Sequence, residues 1–353
     1  MSTETVQFRN YYKEDPIIVA VREHYRKMRE RQTVDYVQRM NFTHVQLHSP
    51  AGIDPQELQF LINYLRQRGV GVILETSGIA ATEAAGSSAD GRFANGETIL
   101  SSYSYKWDLA WAEEMVAYFS TDPLYRKFRH AQFTHRDVYA FDDNYILPLS
   151  DKLVTRPRSS LFTIMPGDAW QKFANLRLLF ACTYLLPGKK LVFMGNEFGQ
   201  PNPWNSESSL DWHLVNEANF HGRLMKWVAR LNSFYRAERA LHQTDSSTPG
   251  FQWVETSDAS HSVISFLRSS TDAREILLAV LNFTPVPRYN YRVGVPKGGF
   301  WTETLNSDAA EFGGSSQGNL GGVEAAPFGW NLQSHSLMLT LPPLAGIVLK
   351  APA

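Results

Sequence analysis

The sequence predicts an α/β fold, a barrel with short N-terminal helices, followed by an all-β sandwich. An apolar strand at residues 145–149, an amphipathic helix at 169–186 and a second apolar strand at 190–194 follow one another. Both strands end on polar residues, which is typical of α/β barrels, where the site lies at the carboxyl ends of the strands. Beyond Gln243 the pattern changes to short alternating strands with proline and glycine turns, which indicates a β-sandwich.

These changes of pattern divide the chain into three predicted parts: a helical N-terminal segment (1–40), a partial barrel (41–245) and a C-terminal β-sandwich (246–353). In the first part, the residues after Pro16 are predicted to be helical. In the second, a strand at 42–48, a helix at 55–68 and an apolar strand at 70–74 form a βαβ unit. The small, polar stretch 77–96 is predicted to be a glycine-rich linker, where a barrel normally has further strand–helix units.

The second half of the chain contains more helices and then only strands. Helices are predicted after the aromatic cluster at 103–111, at 133–141 and at 220–235, and Asp168 is the predicted N-cap of the helix at 169–186. Seven strands are predicted in the sandwich, at 251–256, 262–268, 276–282, 289–295, 300–305, 336–341 and 346–350. A glycine-rich loop at 313–322 separates the fifth strand from the sixth.

The composition excludes several classes of partner. The formal net charge is -1, so there is no electrostatic reason to expect nucleic acid or an anionic membrane. No apolar run reaches the length of a membrane span, and the N-terminus lacks the apolar core of a signal peptide. The single Cys182 fits a reducing compartment. We expect a cytoplasmic protein, a monomer or weak oligomer, without nucleic-acid or membrane partners, without a cofactor and without a metal.

The aromatic content of 13%, with nine tryptophans, has two interpretations. The aromatic residues can simply fill a large core. Alternatively, some of them provide flat apolar faces on which sugar rings stack. Trp107, Trp111, Trp204 and Trp212 are the candidates for such stacking, and the sequence leaves both interpretations open.

The N-terminal segment resembles that of the myo-inositol oxygenases. The similar residues are FRNY at 8–11 and QTVDYVQR at 32–39. This resemblance implies a di-iron site, which in that family includes an adjacent His-Asp pair. None of the ten histidines in this chain is followed by Asp, so an iron oxygenase is the least favoured hypothesis.

From about residue 41 onward the chain resembles the bacterial 1,4-α-glucan (glycogen) branching enzymes of the α-amylase superfamily, glycoside hydrolase family 13. The segments that carry the resemblance are KWDLAW at 106–111, DPLYRK at 122–127, MPGDAWQKFANLR at 165–177, PGKKLVFMGNEFGQ at 187–200, SLDWHL at 209–214 and GNLGGVEA at 318–325. The resemblance implies a (β/α)8 TIM-like barrel followed by a β-sandwich. It also implies retaining transfer of an α-glucan by a nucleophilic carboxylate and an acid/base carboxylate.

The catalytic positions of that family are missing or replaced. Its nucleophile Asp and acid/base Glu belong to a fourth and fifth strand, but between residues 74 and 103 there is no motif like either. At the end of the third strand, Glu75 and Ala80 stand where the family usually has Asp and His. After the seventh strand, Asp151 replaces His and Lys152 replaces the Asp that stabilises the transition state. The resemblance therefore implies an incomplete barrel that is catalytically inactive on its own.

The remaining polar residues leave alternatives open. Asp151 and Glu197 can form a carboxylate pair at neighbouring strand ends, or Glu197 can cap or salt-bridge a loop while Asp151 pairs with nearby cations. Asp211 is either a sugar ligand or a helix cap. Three functions follow: a branching-enzyme homologue that retains α-glucan transfer (glycogen or a starch-like substrate), a non-catalytic α-glucan-binding or structural protein, or an inositol-oxygenase-related iron protein. The predicted substrate-binding residues are Trp107, Trp111, Trp204, Asp211 and Trp212.

Overall fold

The computed structural model describes the chain in eleven stretches: residues 4–9, 17–23, 31–49, 55–76, 91–94, 97–100, 103–134, 140–150, 159–205, 208–245 and 248–353.

The first sheet is a ring of paired strands. Its nine strands are β1 (Glu4–Arg9), β2 (Ile17–Glu23), β3 (His44–Ser49), β4 (Gly71–Thr76), β5 (Gly91–Ala94), β6 (Glu97–Leu100), β7 (Tyr103–Trp107), β8 (Tyr145–Leu149) and β9 (Lys189–Phe193). Strands β2 to β9 pair in order, and parallel pairing of β2 with β9 closes the ring. Strand β6 runs antiparallel to both of its neighbours. Strand β1 lies antiparallel to β2.

The helices surround this sheet. They are α1 (Arg31–Arg39), α2 (Pro55–Arg66), α3 (Leu109–Phe119), α4 (His130–Thr134), α5 (Leu161–Ile164), α6 (Ala169–Leu185) and α7 (Phe220–Ala237). The predicted cap of α6 is confirmed: Asp168 accepts from the Gln171 N–H, and the Gln171 side chain accepts from the Asp168 N–H. Every residue from 173 to 185 is buried, which is typical of a helix inside a large core. Among the described helices, none is long and apolar enough to cross a membrane.

The prediction of N-terminal helices is only partly correct. Helix α1 is present, but the structure forms strands at Glu4–Arg9 and Ile17–Glu23 instead of helices. The sequence of β2, IIVAVRE, is a β-branched run of the kind found in parallel strands that have neighbours on both sides. Because β2 pairs with both β3 and β9, this tertiary pairing outweighs the weak helical spacing.

The predicted gap in the ring is filled. The sequence predicted a glycine-rich linker at 77–96, whereas β5, β6 and β7 connect β4 to β8 through continuous pairing. Strands of four or five residues give too short an alternation to be recognised in a sequence. Residues 77–90 of the predicted linker lie outside the described residues. Of the predicted helix at 133–141, only the start belongs to α4, and residues 135–139 are likewise outside.

The C-terminal strands form two sheets. They are β10 (Phe251–Glu255), β11 (Val263–Ser269), β12 (Ile276–Asn282), β13 (Arg288–Val295), β14 (Gly299–Asn306), β15 (Gly322–Ala325), β16 (His335–Leu341) and β17 (Ala345–Lys350). One sheet has the order β10-β11-β12-β17-β14-β15, and the other pairs β13 with β16. Apolar side chains from both sheets fill the space between them, so the β-sandwich and all seven of its predicted strands are confirmed. The short strand β15 was missed because its first residue, Gly322, belongs to the predicted loop.

Buried arginines connect the ring and its helices to the sandwich. Arg126, fully buried, donates to the carbonyl of Phe283 at 2.9 Å and to the side chain of Asn175 at 2.8 Å. Arg177 donates to the carbonyl of Ser307 at 2.8 Å. Burial lowers the pKa of each of these two arginines to about 10. The arginines satisfy carbonyl groups that would otherwise be buried without a donor.

A buried carboxylate, Asp245, lies at the centre of this junction. It accepts from Arg268 of β11 at 2.7 Å, from Lys189 of β9 at 3.2 Å and from the hydroxyl of Tyr235 at 2.8 Å. Burial alone would raise the pKa of Asp245, but the charges of Lys189, Arg268 and Lys190 outweigh burial and hold it at about 2. Asp245 is therefore ionised at neutral pH and joins the last strand of the ring to the sandwich.

Replacing this carboxylate should destabilise the whole protein. In Asp245→Asn, two buried cations lose their counter-charge, so we expect the free energy of unfolding at pH 7 to fall by about 3–5 kcal/mol. Urea denaturation followed by circular dichroism measures the change. Glu311→Gln, which removes an exposed ion pair with Lys226, is the control and should have little effect. Equal stability of the two variants would contradict the central role of Asp245.

The closed ring also predicts slow hydrogen exchange in β4. This strand pairs with β3 over six residues and with β5 over three, so its amides should exchange far more slowly than those of an unpaired chain. The β10 amides that point away from β11 are the reference, because β10 pairs only with β11 among the described strands. Exchange of the 71–76 amides at the rate of an unfolded peptide would show that the ring is open.

Candidate functional site

The candidate site lies where β8 and β9 end. Asn196 follows β9 and donates to the carbonyl of Leu149, the last residue of β8, at 3.0 Å. Gly195 has a φ of 89°, a left-handed conformation that favours glycine. It turns the chain into a short 3-10 helix, Asn196–Phe198. This turn brings Glu197 below the surface at the carboxyl end of the strand.

Glu197 is only 1% exposed. Its Oε1 accepts from the hydroxyl of Tyr36, on α1, at 2.7 Å, and its Oε2 has no hydrogen-bond partner among the described residues. Burial raises the pKa of Glu197 to about 7, although the Tyr36 hydrogen bond opposes this shift. Near neutral pH this carboxyl group therefore exchanges between its protonated and ionised forms. Its side-chain partner in the described structure is a tyrosine, and backbone N–H groups at Gly195 and Glu197 also favour its ionised form.

An aromatic cluster adjoins Tyr36, the side-chain partner of this carboxyl group. The ring of Trp212 lies edge-on to Tyr36, with centroids 5.3 Å apart, and 5.2 Å from the ring of Phe198. Trp212 is 38% exposed, so part of its surface faces solvent. We call Tyr36, Glu197, Phe198 and Trp212 the Glu197 site.

Asp211 lies beside this group. Its carboxylate accepts from the side chain of Asn202 at 2.8 Å, and its backbone N–H donates to Gln200 at 3.0 Å. Its side chain makes no capping hydrogen bond to the short helix Trp212–Leu214 that follows. Asp211 thus occupies the N-cap position of this helix without a capping hydrogen bond from its side chain. Asp211 and Trp212 are adjacent polar and aromatic groups at one edge of the ring.

The other tryptophans differ in accessibility. Trp111 is 1% exposed and packs in the core, because it shares the inward face of α3 with Met115 and Phe119. It has no free face for a ligand, so its predicted role in substrate binding is wrong. Trp204 is partly buried, with its ring edge-on to Phe193 at 6.1 Å. Trp107, the last residue of β7, is also partly buried against the core.

Among the replaced catalytic positions Glu75, Asp151 and Lys152, only Glu75 belongs to the described residues. Glu75 is in β4, one residue before its end. Asp151 and Lys152 lie outside the described residues, so the pairing of Asp151 with Glu197 stays a prediction. Glu97 was missed by the sequence reasoning. It begins β6, and because this strand is antiparallel, Glu97 lies at the same edge of the ring as the carboxyl ends of the parallel strands.

Tyr36 was also missed, because its contacts are with residues far along the chain. It is 161 positions from Glu197. The only signal in the sequence was the helix predicted around it.

A metal site receives no support: among the described residues, no group of three or more His, Cys, Asp or Glu side chains could hold a metal ion. The iron-oxygenase hypothesis thus rests on the N-terminal resemblance alone.

Parts of the chain are similar to known proteins. Residues 253–352 match the family described as alpha amylase, C-terminal all-beta domain. Among solved structures, an alpha-amylase from H.orenii superposes with a TM-score of 0.47 and 15% identity, over 86% of this chain and 58% of that one.

Two curated relatives are similar over most of the chain. The 1,4-alpha-glucan branching enzyme GlgB of Aquifex aeolicus is 53% identical over 248 residues, which are 70% of this chain and 39% of that protein. The enzyme of the same name from Albidiferax ferrireducens is 48% identical over 248 residues, 70% of this chain and 40% of that protein. The chain spans about two fifths of the length of these curated relatives. The C-terminal part of the chain is therefore homologous to the bacterial 1,4-alpha-glucan branching enzymes.

Proposed function

We propose that the protein binds α-glucans and does not transfer them on its own. The observation that carries this proposal is a contrast within the chain. Over 248 residues it is 53% identical to a branching enzyme, yet the motifs of the family's nucleophile strand and acid/base strand have no counterpart in its sequence. A scaffold of this kind, without its reactive groups, favours a binding protein.

The chemistry of the edge supports the absence of transfer. Retaining transfer needs two carboxyl groups about 5 Å apart, one of them ionised as a nucleophile. At the described edge, Glu197 is held by Tyr36 in a site that favours its protonated form. The carboxylate of Asp108 caps α3, and that of Asp211 is bonded to Asn202. In addition, Lys152 carries positive charge where an oxocarbenium-like sugar needs negative charge.

We infer that the ring is a modified (β/α)8 barrel. Most of its strands are parallel, and helices follow β2, β3, β7 and β8 along the chain. Strands β5 and β6 occupy the places where the family has its fourth and fifth strands. Because β6 is antiparallel, it brings its first residue, not its last, to the edge of the site.

Glucan binding is supported by the aromatic and polar groups of the Glu197 site. Trp212 exposes part of a flat apolar face, against which the C–H groups of a pyranose can pack. Next to it, the carboxylate of Asp211 and the amide of Asn202 can bond sugar hydroxyls. An aromatic platform with polar groups beside it is the usual composition of a ligand site.

One observation favours residual transfer as a second candidate function. Glu75, Glu97 and Glu197 are all placed at the same edge of the ring. A relocated pair of these carboxylates would restore transfer. Activity that is lost in Glu97→Gln would support this second function.

Two assays on the purified protein test the proposal. We expect the iodine spectrum of amylose to stay unchanged, because no nucleophile is available, and we expect retarded migration in native gels that contain glycogen. Trp212→Ala should lose most of the retardation, by about tenfold in affinity. Phe128→Ala removes a more exposed aromatic ring far from the site in sequence and is the control. An altered iodine spectrum would refute the lack of transfer, and migration independent of glycogen would refute binding.

The protonation of Glu197 predicts how stability depends on pH. Burial raises the pKa of Glu197 from 4.5 to about 7, so between these values the folded protein holds a proton that the unfolded chain releases. The contribution of this group to stability is therefore present below pH 4.5 and is lost as the pH rises to about 7, a loss of about 3 kcal/mol. In Glu197→Gln this loss should be absent.

Urea denaturation at pH 5 and pH 8 measures the effect. The fall in unfolding free energy between the two values should be smaller in Glu197→Gln than in the wild type. Glu217→Gln, which removes an exposed carboxylate, is the matched control and should behave like the wild type. If both variants keep the pH dependence of the wild type, Glu197 is already ionised at pH 5.

A further inference from the structure

A cleft of about 750 Å³ opens on the sandwich, away from the Glu197 site in the chain. Its lining combines aromatic side chains with charged ones: Glu255, Asp258, Arg288, Tyr289, Arg292 and Trp330. The volume is in the range of sites for small ligands. Tyr289 is 65% exposed and Trp330 is 49% exposed, so two aromatic rings present apolar surface at the cleft.

The cleft is built by unusual backbone on both sides. Strand β13 has a bulge between Arg288 and Tyr291, and within it Asn290 has a φ of 55°. Bulges redirect side chains, and left-handed residues other than glycine cluster at binding sites. The bulge therefore directs the side chains of this strand segment differently from those of a regular strand.

The opposite side is a tight turn that holds Trp330. The turn pairs Trp330 with Gln333, and its two central residues, Asn331 and Leu332, have φ values of 46° and 59°. Leucine rarely adopts this conformation, so the turn is strained. The Asn331 side chain fixes it, accepting from the Gly294 N–H at 3.1 Å and donating to Glu255 at 2.8 Å.

Gly294 allows the turn to approach β13 closely. A Cβ at this position would lie 2.0 Å from the carbonyl oxygen of Trp330, so a larger residue would displace the turn. The guanidinium of Arg292 lies 5.8 Å from the Trp330 ring centroid and steadies this ring from one side. The position of the exposed tryptophan is thus determined by several independent contacts.

The charges of the lining favour a neutral ligand. Arg288 and Arg292 are balanced by Glu255 and Asp258. Asp258 accepts from the hydroxyl of Tyr291 at 2.7 Å and lies 2.8 Å from Nδ1 of His261. The carboxylates of Glu255 and Asp258 are therefore already bonded to neighbouring side chains. A phosphate-bearing ligand would find no net positive charge, whereas a polyhydroxylated ring finds aromatic faces and fixed polar groups.

We propose that this cleft is a second binding site for a neutral α-linked glucan, with Trp330 and Tyr289 as its stacking surfaces. This inference rests on the proposed function for the choice of an α-glucan. It adds a site that is separate from the Glu197 site and that needs none of the residues of the ring.

The test uses the full chain, maltoheptaose as the ligand and the indole N–H signals of the tryptophans in NMR spectra. Trp330→Phe and Trp212→Phe assign the two signals. Maltoheptaose should shift the Trp330 signal, and Trp330→Ala should weaken binding at the cleft by about tenfold, read from the shifts of the Tyr289 and Arg292 amides. Phe328→Ala, on the same loop and 65% exposed, is the control and should leave these shifts unchanged.

The outcomes separate this inference from the proposed function. Shifts at Trp330 and Trp212 support both sites, and a shift at Trp330 alone supports the cleft but refutes glucan binding at the Glu197 site. A shift at Trp212 alone refutes the cleft and leaves the proposed function intact. No shift at either signal refutes both. Circular dichroism confirms that Trp330→Ala is folded, and Tyr289→Ala gives a second variant that should weaken binding at the same cleft.

Discussion

The carboxylate of Asp245 accepts from Lys189 and Arg268 in the interior, where none of the three groups can be hydrated. Removing charges from water costs several kcal/mol for each ion, so each group is tolerable only while the others are present. This constraint acts on three parts of the chain at once. Lys189 begins β9, Arg268 belongs to β11, and Arg268 also donates to the carbonyls of Leu185 and Leu241 at 2.8 and 2.9 Å. The end of α6 and the last strand of the ring are thus fixed against the sandwich.

This junction also restricts substitution in the elements that it joins. Helix α6 is buried from residue 173 to 185 and strand β9 along its whole length, and they carry two of the longest segments of the branching-enzyme resemblance. Substitution there would leave buried charges or carbonyls without partners. The junction therefore stabilises the scaffold whether or not the reactive groups of the family are present. Two glucan sites on one such scaffold would also strengthen binding to a polymer, because the second contact becomes intramolecular.

Much of this arrangement could be predicted from local sequence. The cap at Asp168, the length of α6 and the seven strands of the sandwich follow from spacing and turn residues alone. The errors have a common cause, which is pairing between distant segments. The β-branched run Ile17–Glu23 becomes a strand because β9 lies beside it. Trp111 is buried because α3 turns this face inward, and Tyr36 meets Glu197 across 161 positions. A sequence pattern reports the faces of an element but not the neighbour that covers each face.

Asp245 and Glu197 show how burial alone leaves the role of a carboxyl group undetermined. Both are buried, yet the pKa of Asp245 is held at about 2 by three cations, whereas burial raises that of Glu197 to about 7 with a tyrosine as its partner. A nucleophile for glycosyl transfer must be ionised and must reach the substrate. Asp245 is ionised but enclosed by its cations. Glu197 lies at the edge of the ring, but it is buried and loses its proton only near neutral pH. Neither group combines the two properties, which supports the proposal of binding without transfer.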